Sequence, residues 1–142
     1  MIAIGSDHGG YDLKEKVVRH LAERGVPCKD VGCQDKTSCD YPVYARAAAE
    51  AVASGECDRG IVICTTGIGV SITANKVKGV RCALCGDVLS ARMTRLHNDA
   101  NMLALGAAIV GDMLAMEIVD TFLDTEFSGE ERHQRRVRMI EE

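Results

Sequence analysis

Short apolar runs alternate along the chain with longer segments in which apolar side chains recur every three or four residues. The runs have the length and composition of buried β-strands, whereas the longer segments have the period of amphipathic helices. Repeated strand–helix–strand units with short connections favour a parallel sheet that is covered by helices on both faces. The pattern therefore predicts an α/β fold, a three-layer α/β/α sandwich around a five-stranded, doubly wound (Rossmann-like) parallel sheet.

The individual elements can be read from this alternation. The predicted strands are "IAIGS" from Ile2, "CKDVG" from Cys28, "GIVIC" from Gly60, "RCALC" from Arg81 and "NMLALG" from Asn101. Helices are predicted over 11–25, where Gly25 closes the last turn, and over about 42–53, 68–77, 88–97 and 113–123. The charged tail after Gly129 is predicted to form a final helix.

Size and charge limit the classes of function. With 142 residues, 46% of them hydrophobic and 27% charged, we expect one domain over 1–142, with a helical tail from about 129 to 142. No run approaches the about 20 apolar residues of a membrane helix, and "MIAIGSDHGG" does not have the features of a secretion signal, so a cytoplasmic location is expected. The net charge of -4 and a single local basic cluster argue against nucleic acid as a partner.

The seven cysteines are an odd number in a chain without a secretion signal, so a disulfide framework is not expected. Cys82 and Cys85 form a C-x-x-C pair, but residues three apart on a strand point to opposite faces of the sheet. We therefore interpret both as core residues. No H-x-x-x-H or H-x-H pair occurs, so the sequence offers no obvious metal ligand set.

A cysteine stands at the end of the third predicted strand, directly before the loop "TTGIG" and a helix. Ligands of doubly wound sheets bind beyond the carboxyl ends of the strands. A helix amino terminus favours the thiolate form of an adjacent cysteine, and a glycine loop lets main-chain N–H groups approach an anion. Cys64 is thus a candidate base or nucleophile, and we expect "SDHGG", "CTTGIG" and "HND" to converge at one edge of the sheet.

Several interpretations of this loop compete. Cys64 can simply be a small buried residue, as free cysteine often is. A dinucleotide fingerprint fits only in part, because Ile72 stands where the third glycine belongs, and a cysteine phosphatase would need an arginine where Val70 stands. The remaining chemistry is enolisation, in which the thiolate removes a proton next to a carbonyl while the N–H groups stabilise the enediolate.

Five segments occur in the same order as in one enzyme family: "GSDHGG", "DYP", "ICTTGIGVSITANK", "RLHNDAN" and "RHQRR". On these segments, which cover nearly the whole chain, the sequence resembles the ribose-5-phosphate isomerase B family, which also includes the galactose-6-phosphate isomerase subunits. The resemblance implies interconversion of ribose 5-phosphate and ribulose 5-phosphate through a cis-enediolate, a step of the pentose phosphate pathway, without metal or cofactor. It also implies homodimers or homotetramers whose active sites are shared between subunits.

The resemblance assigns a role to each matching residue. Cys64 resembles the catalytic base, His97 the acid that helps to open the sugar ring, and Thr66 and Asp7 further catalytic positions. The loop over the enediolate matches Thr65, Thr66, Gly67, Ile68 and Gly69, and the remaining substrate contacts match Asp7, His8, Tyr41, Asn98, Arg132 and Arg136.

Elementary chemistry is consistent with the roles that the resemblance assigns to these residues. Arg132 and Arg136 are four apart, so on a helix they share a face and can grip one phosphate, and we expect the tail to reach the site of a neighbouring subunit. Histidine can exchange a proton at near-neutral pH, as ring opening requires of His97. Asp7 can cap the following helix, assist ring opening, or do both. His20 and His133 are expected on the surface.

One difference from the family pattern leaves the identity of the sugar phosphate undecided. Many members of the family carry a phosphate-binding arginine after the fifth strand, where this chain has Ala108. The change can mean weaker phosphate binding, a substitute such as Arg135, or a different sugar phosphate, including allose 6-phosphate or galactose 6-phosphate. A non-catalytic sugar-phosphate-binding protein and a nicotinamide-dependent oxidoreductase are the alternatives from other classes.

Overall fold

The computed structural model describes residues 1–142 and contains one sheet of five parallel strands. The strands are β1 (Ile2–Ser6), β2 (Cys28–Asp30), β3 (Arg59–Cys64), β4 (Cys82–Leu84) and β5 (Met102–Gly106), in the spatial order β2-β1-β3-β5-β4. The helices are α1 (Tyr11–Glu23), α2 (Tyr41–Ala53), α3 (Ile68–Asn75), α4 (Val88–Asn98), α5 (Asp112–Asp124) and α6 (Glu131–Glu141). None of these helices has the length and apolar character needed to cross a lipid bilayer.

Helices cover both faces of the sheet, which confirms the predicted three-layer fold. Alternate side chains of β3 point to opposite faces, so Ile61 and Ile63 pack in the core beneath α1, α4 and α5, whereas Val62 and Cys64 pack beneath α2 and α3. The α2 side of this second core is a stripe of alanines, including Ala45, Ala48 and Ala49. The stripe brings α2 so near β1 that a methyl group at Gly5 would lie 2.8 Å from the carbonyl oxygen of Tyr44.

The carboxyl and amino ends of the strands form two separate edges of the sheet. Cys64 and Gly106 pair at the carboxyl edge, and Gly60 and Met102 pair near the amino edge. The four residue steps along β3 from Gly60 to Cys64 correspond to about 13 Å. The segment "HND" ends α4 and leads into the start of β5, so it lies at the amino edge. The expectation that it joins Cys64 at the carboxyl edge is therefore wrong within one chain, because each crossover helix runs back along the sheet.

The tail returns to the amino edge and packs against the end of α4. The N–H of Ser128 donates to the carbonyl of Leu96 at 3.2 Å, and Arg81 lies 2.6 Å from Glu141 while donating to the carbonyl of Asn98 at 3.0 Å. The turn before α6 also buries His133, which is 4% exposed. The expected surface position of His133 is thus wrong.

The same expectation for His20 holds only in part. The His20 side chain is 23% exposed, and its Nε2 atom lies 2.7 Å from Asp120 Oδ1 on α5. This contact ties α1 to α5 on one face of the sheet.

All seven thiols are free. Cys82 packs against the core beneath α2 and α3, and Cys85 lies in the core on the opposite face, which confirms that the C-x-x-C pair is a packing feature. Burial raises the pKa of Cys82 to about 12 and that of Cys85 to about 11. No group of three or more His, Cys, Asp or Glu side chains is arranged to hold a metal ion.

Candidate active site

The crevice between β1 and β3 is the point where the strand order reverses. These strands are neighbours, yet the chain leaves β1 towards the face of α1 and leaves β3 towards the face of α3. Ser6 pairs with Ile63, so Asp7 and Cys64 follow side by side at the carboxyl edge. Open parallel sheets bind ligands at such a crevice.

Cys64 is 6% exposed and accepts a hydrogen bond from the N–H of Gly67, with N and Sγ 3.2 Å apart. Gly67 has a φ of 78°, a left-handed conformation that favours glycine and lets the chain turn sharply from β3 into α3. The contact with the Gly67 N–H holds the sulfur at the start of the loop. The thiol thus lies beside the amino end of α3, whose first turn has N–H groups without partners inside the helix.

The loop after Cys64 presents small polar groups to the outside. Thr65 and Thr66 are exposed, and Ile68, in the first turn of α3, is 52% exposed. The Thr66 hydroxyl accepts the N–H of Ile68 at 3.2 Å. The carbonyl of Thr65 accepts the N–H of Ala108 at 2.9 Å, so the loop after β5 braces the loop after β3.

Asp7 and His8 lie on the other side of the crevice. Asp7 is 6% exposed and accepts the N–H of Gly10 at 3.1 Å, so it caps the 3₁₀ turn His8–Gly10, a turn that the sequence pattern did not predict. The Nδ1 atom of half-buried His8 accepts the N–H of Cys39 at 3.2 Å. A neutral His8 ring therefore has its proton on Nε2, which remains available for a ligand.

Tyr41 covers the amino end of α3 from α2. A methyl group built on Gly69 would lie 2.5 Å from Tyr41 Cε1, so the ring is in direct contact with the loop. The Tyr41 side chain is 39% exposed and thus also borders solvent. We call this group the Cys64 rim; its members are Asp7, His8, Tyr41, Cys64, Thr65, Thr66, Gly67, Ile68 and Gly69.

A second group lies at the amino edge. His97 and Asn98, at the end of α4, and Arg132 and Arg136, on α6, line a cavity of about 470 Å³ together with His133. We call His97, Asn98, Arg132 and Arg136 the tail cluster. Every side chain that lines the cavity is polar, and two of them are guanidinium groups. The cavity thus has the size and charge to accept a small anion.

The arginines of α6 differ in their partners. Arg132 lies 3.1 Å from Glu130, and Arg135 lies 2.8 Å from Glu131, whereas Arg136 has no carboxylate partner. Arg135 also does not line the cavity. A replacement of the missing arginine by Arg135 therefore has no support in the structure.

Within one chain, the Cys64 rim and the tail cluster do not meet. The rim lies at the carboxyl edge and the cluster at the amino edge, with the length of β3 between them. Sequence reasoning also missed two participants, namely Ser128, which lies 2.6 Å from His133 Nδ1, and Cys39, which donates to His8. The only sequence signal for the first was a serine before the tail helix, which is typical of a turn.

A sequence model of the Ribose/Galactose Isomerase family matches residues 2–140. The chain belongs to this family. Among its relatives, the putative sugar phosphate isomerase YwlF of Bacillus subtilis is 51% identical over 98% of this chain and 93% of the relative. Ribose-5-phosphate isomerase B of Escherichia coli is 50% identical over 98% of this chain and 93% of that enzyme.

Solved structures of the ribose/galactose isomerase family have the same fold. The ribose-5-phosphate isomerase B of Clostridium thermocellum is 56% identical and superimposes with a TM-score of 0.97, covering 99% of this chain and 94% of that one. The predicted family membership is thus confirmed, and the fold agrees throughout the chain.

Proposed function

We propose that the chain is an aldose–ketose isomerase that interconverts D-ribose 5-phosphate and D-ribulose 5-phosphate through a cis-enediolate. The observation that carries this proposal is the contact between Cys64 Sγ and the N–H of Gly67, which lies at the strand-order reversal and beside the amino end of α3. A base and a set of N–H donors side by side are what enolisation needs. The names of the Escherichia coli and Clostridium thermocellum relatives support the substrate.

The reaction begins with the cyclic sugar, so the ring must open first. His97 gives a proton to the ring oxygen while Asp7, hydrogen-bonded to Gly10, takes the proton of the C1 hydroxyl. The open-chain aldehyde then has an acidic proton at C2, next to the carbonyl.

Proton transfer follows at the Cys64 rim. The Cys64 thiolate removes the proton from C2 and returns it to C1, while the proton of the C2 hydroxyl passes to the C1 oxygen, which converts the aldose to the ketose. Negative charge develops on the sugar oxygens in the enediolate, and the N–H groups of the loop Thr65–Gly69 together with the Thr66 hydroxyl stabilise it. His8 and Tyr41 border the same crevice and hold the sugar.

Arg132 and Arg136 bind the phosphate, and Asn98 contacts the sugar. Because these residues lie at the amino edge of their own chain, we propose that a second copy supplies them, so that each site combines the Cys64 rim of one subunit with the tail cluster of the next. A homodimer or a homotetramer provides this arrangement, since symmetric copies exchange equivalent surfaces.

Turnover of ribose 5-phosphate tests the proposal. The purified protein is expected to form ribulose 5-phosphate, and Cys64→Ala is expected to lower kcat by about 10²- to 10⁴-fold, as for loss of a general base. Cys57→Ala is the matched control, because Cys57 is a buried thiol, 2% exposed, outside the rim. A Cys64→Ala protein with nearly full turnover would show that the base is elsewhere.

A six-carbon sugar phosphate is the second candidate substrate. It is favoured by Ala108, which is exposed beside the Cys64 rim and leaves the space that a longer side chain would fill. Parallel kcat/KM measurements on ribose 5-phosphate, allose 6-phosphate and galactose 6-phosphate decide between them. Absence of turnover with all three, together with binding of the same compounds, would instead favour the non-catalytic binding protein.

A further inference from the structure

His133 is a buried histidine at the border of the tail-cluster cavity. It is 4% exposed, whereas the His97 side chain beside it is only half-buried. The centres of the two rings are 4.4 Å apart, with 36° between their planes. The proposed ring-opening acid therefore packs against a second imidazole.

The hydrogen bonds of His133 allow one tautomer. Its Nε2 atom accepts from Arg132 Nε at 3.4 Å, and an arginine can only donate, so Nε2 has no proton. Its Nδ1 atom, which then carries the proton, lies 2.6 Å from Ser128 Oγ. Ser128 Oγ also accepts the N–H of Glu130 at 3.2 Å, so the serine receives two donors and is itself held in place.

Burial and most of the charges around His133 also favour its neutral form. Burial, the neighbouring His97 of α4 and the Arg132 guanidinium lower the pKa of His133, Glu130 opposes them, and Arg136 adds to the lowering. A protonated Nε2 would also place its N–H against the N–H of Arg132. The ring is thus held neutral beside a histidine that must carry a proton during ring opening.

We propose that His133 is a positioning residue, a neutral imidazole fixed between Ser128 and Arg132 that orients the His97 ring and the Arg132 guanidinium for the substrate. This inference rests on the proposed isomerase function for its effect on turnover. The tautomer and the stacking, however, are properties of the free protein and can be tested without any substrate.

The first experiment is histidine NMR on the ¹⁵N-labelled protein without ligand. His133 is expected to show a protonated Nδ1 and an unprotonated Nε2 at neutral pH, and Ser128→Ala is expected to shift its Nδ1 signal while Ser128→Thr restores it. In His133→Gln, the His97 ring protons are expected to lose the ring-current shift that a stacked imidazole causes. A protonated Nε2 on His133, or unchanged His97 signals in His133→Gln, would overturn the proposal.

The second experiment separates positioning from stability. His133→Phe retains an aromatic ring against His97 but removes both hydrogen bonds, so KM for ribose 5-phosphate is expected to rise about tenfold through Arg132, with a smaller change in kcat. His133→Gln retains an acceptor for Arg132 but removes the ring, so it is expected to lower kcat more than it raises KM. His20→Phe, which removes a histidine contact far from the cavity, is the matched control.

Equal changes in both His133 variants would overturn the positioning role. If the wild-type protein does not turn over ribose 5-phosphate while the NMR results are as expected, the proposed function fails and the ring arrangement stands.

Discussion

The Cys64 rim and the tail cluster differ in the chemical groups that form them. The centre of the rim is a thiol at the end of a central strand and a loop of main chain and glycines, and its geometry follows from the turn at Gly67. The tail cluster consists of the side chains of two arginines on α6 and of a histidine and an asparagine at the end of α4, and Arg132 is 58% exposed. The difference indicates that the fold fixes the geometry of the rim, whereas the proposed phosphate site depends on how the tail packs and on the proposed neighbouring copy.

The strongest test of a site shared between two copies is to place the loss of the rim and the loss of the tail cluster in different subunits. Cys64→Ala and the double variant Arg132→Gln/Arg136→Gln are each expected to have little activity alone. In a dimer that contains one of each, one site combines an intact rim with an intact cluster, so a refolded equimolar mixture is expected to recover about a quarter of wild-type turnover. Recovery is measured against mixtures of each variant with itself, and no gain would place both halves of the site in one chain.

The rim itself can be displaced by one methyl group. Gly69→Ala brings its Cβ atom within 2.5 Å of Tyr41 Cε1, so either the ring or the loop must move. A shift of about 1 Å near reacting groups costs about 10²-fold in rate, and kcat is expected to fall by that amount. Gly111→Ala is the control, because a methyl group there meets no atom within 4 Å; equal effects of both changes would contradict the predicted contact.

The tail cluster is expected to respond in affinity. Arg136→Gln removes the guanidinium that has no carboxylate partner, so KM for the sugar phosphate is expected to rise roughly 10- to 100-fold, as for a lost charge-assisted hydrogen bond, with kcat changed less. Arg135→Gln is the matched control on the same helix, since Arg135 is paired with Glu131 and does not line the cavity. A larger KM change for Arg135→Gln would assign the phosphate to the other face of α6.

The smallest expected effect is on stability in acid. The pKa of His133 is lowered in the folded protein by burial and by His97, whereas an unfolded histidine has a pKa of about 6.5. Below that value the unfolded chain takes up a proton that the folded one does not, so the free energy of unfolding falls as the pH falls. Urea unfolding at pH 7.5 and 5.5 is expected to show a larger drop for the wild type than for His133→Phe, and equal drops would contradict the lowered pKa.

The sequence predicted the elements because hydrophobic periodicity is local. Every predicted strand and helix is present, with bounds differing by a few residues, and Cys64 lies at the strand end where the pattern placed it. The edge that carries His97 also followed from this pattern but was assigned wrongly, because in a parallel sheet the segment that precedes a strand lies at the amino edge, opposite the strand end that carries Cys64.

The burial of charged and titratable side chains could not be predicted from the sequence. Lys14 is 1% exposed because its ammonium lies 2.8 Å from Asp30 and donates to the carbonyl of Cys33 at 2.9 Å. Lys14 is on α1, whereas Asp30 ends β2 and Cys33 lies in the loop after it. Neither partner can therefore be recognised from helix periodicity. His133 was missed for the same reason, since Ser128 and His97 become its neighbours only when the tail folds back.

The alanine stripe of α2 has a consequence for the position of Tyr41 above the loop after β3. Helix and sheet are already in van der Waals contact at Tyr44 and Gly5, so any larger side chain at Ala45 or Ala48 would lift the whole helix. Tyr41 begins that helix and would lift with it, away from Gly69. The spacing between Tyr41 and Gly69 is thus set by the smallest side chains of the core, none of which belongs to the Cys64 rim.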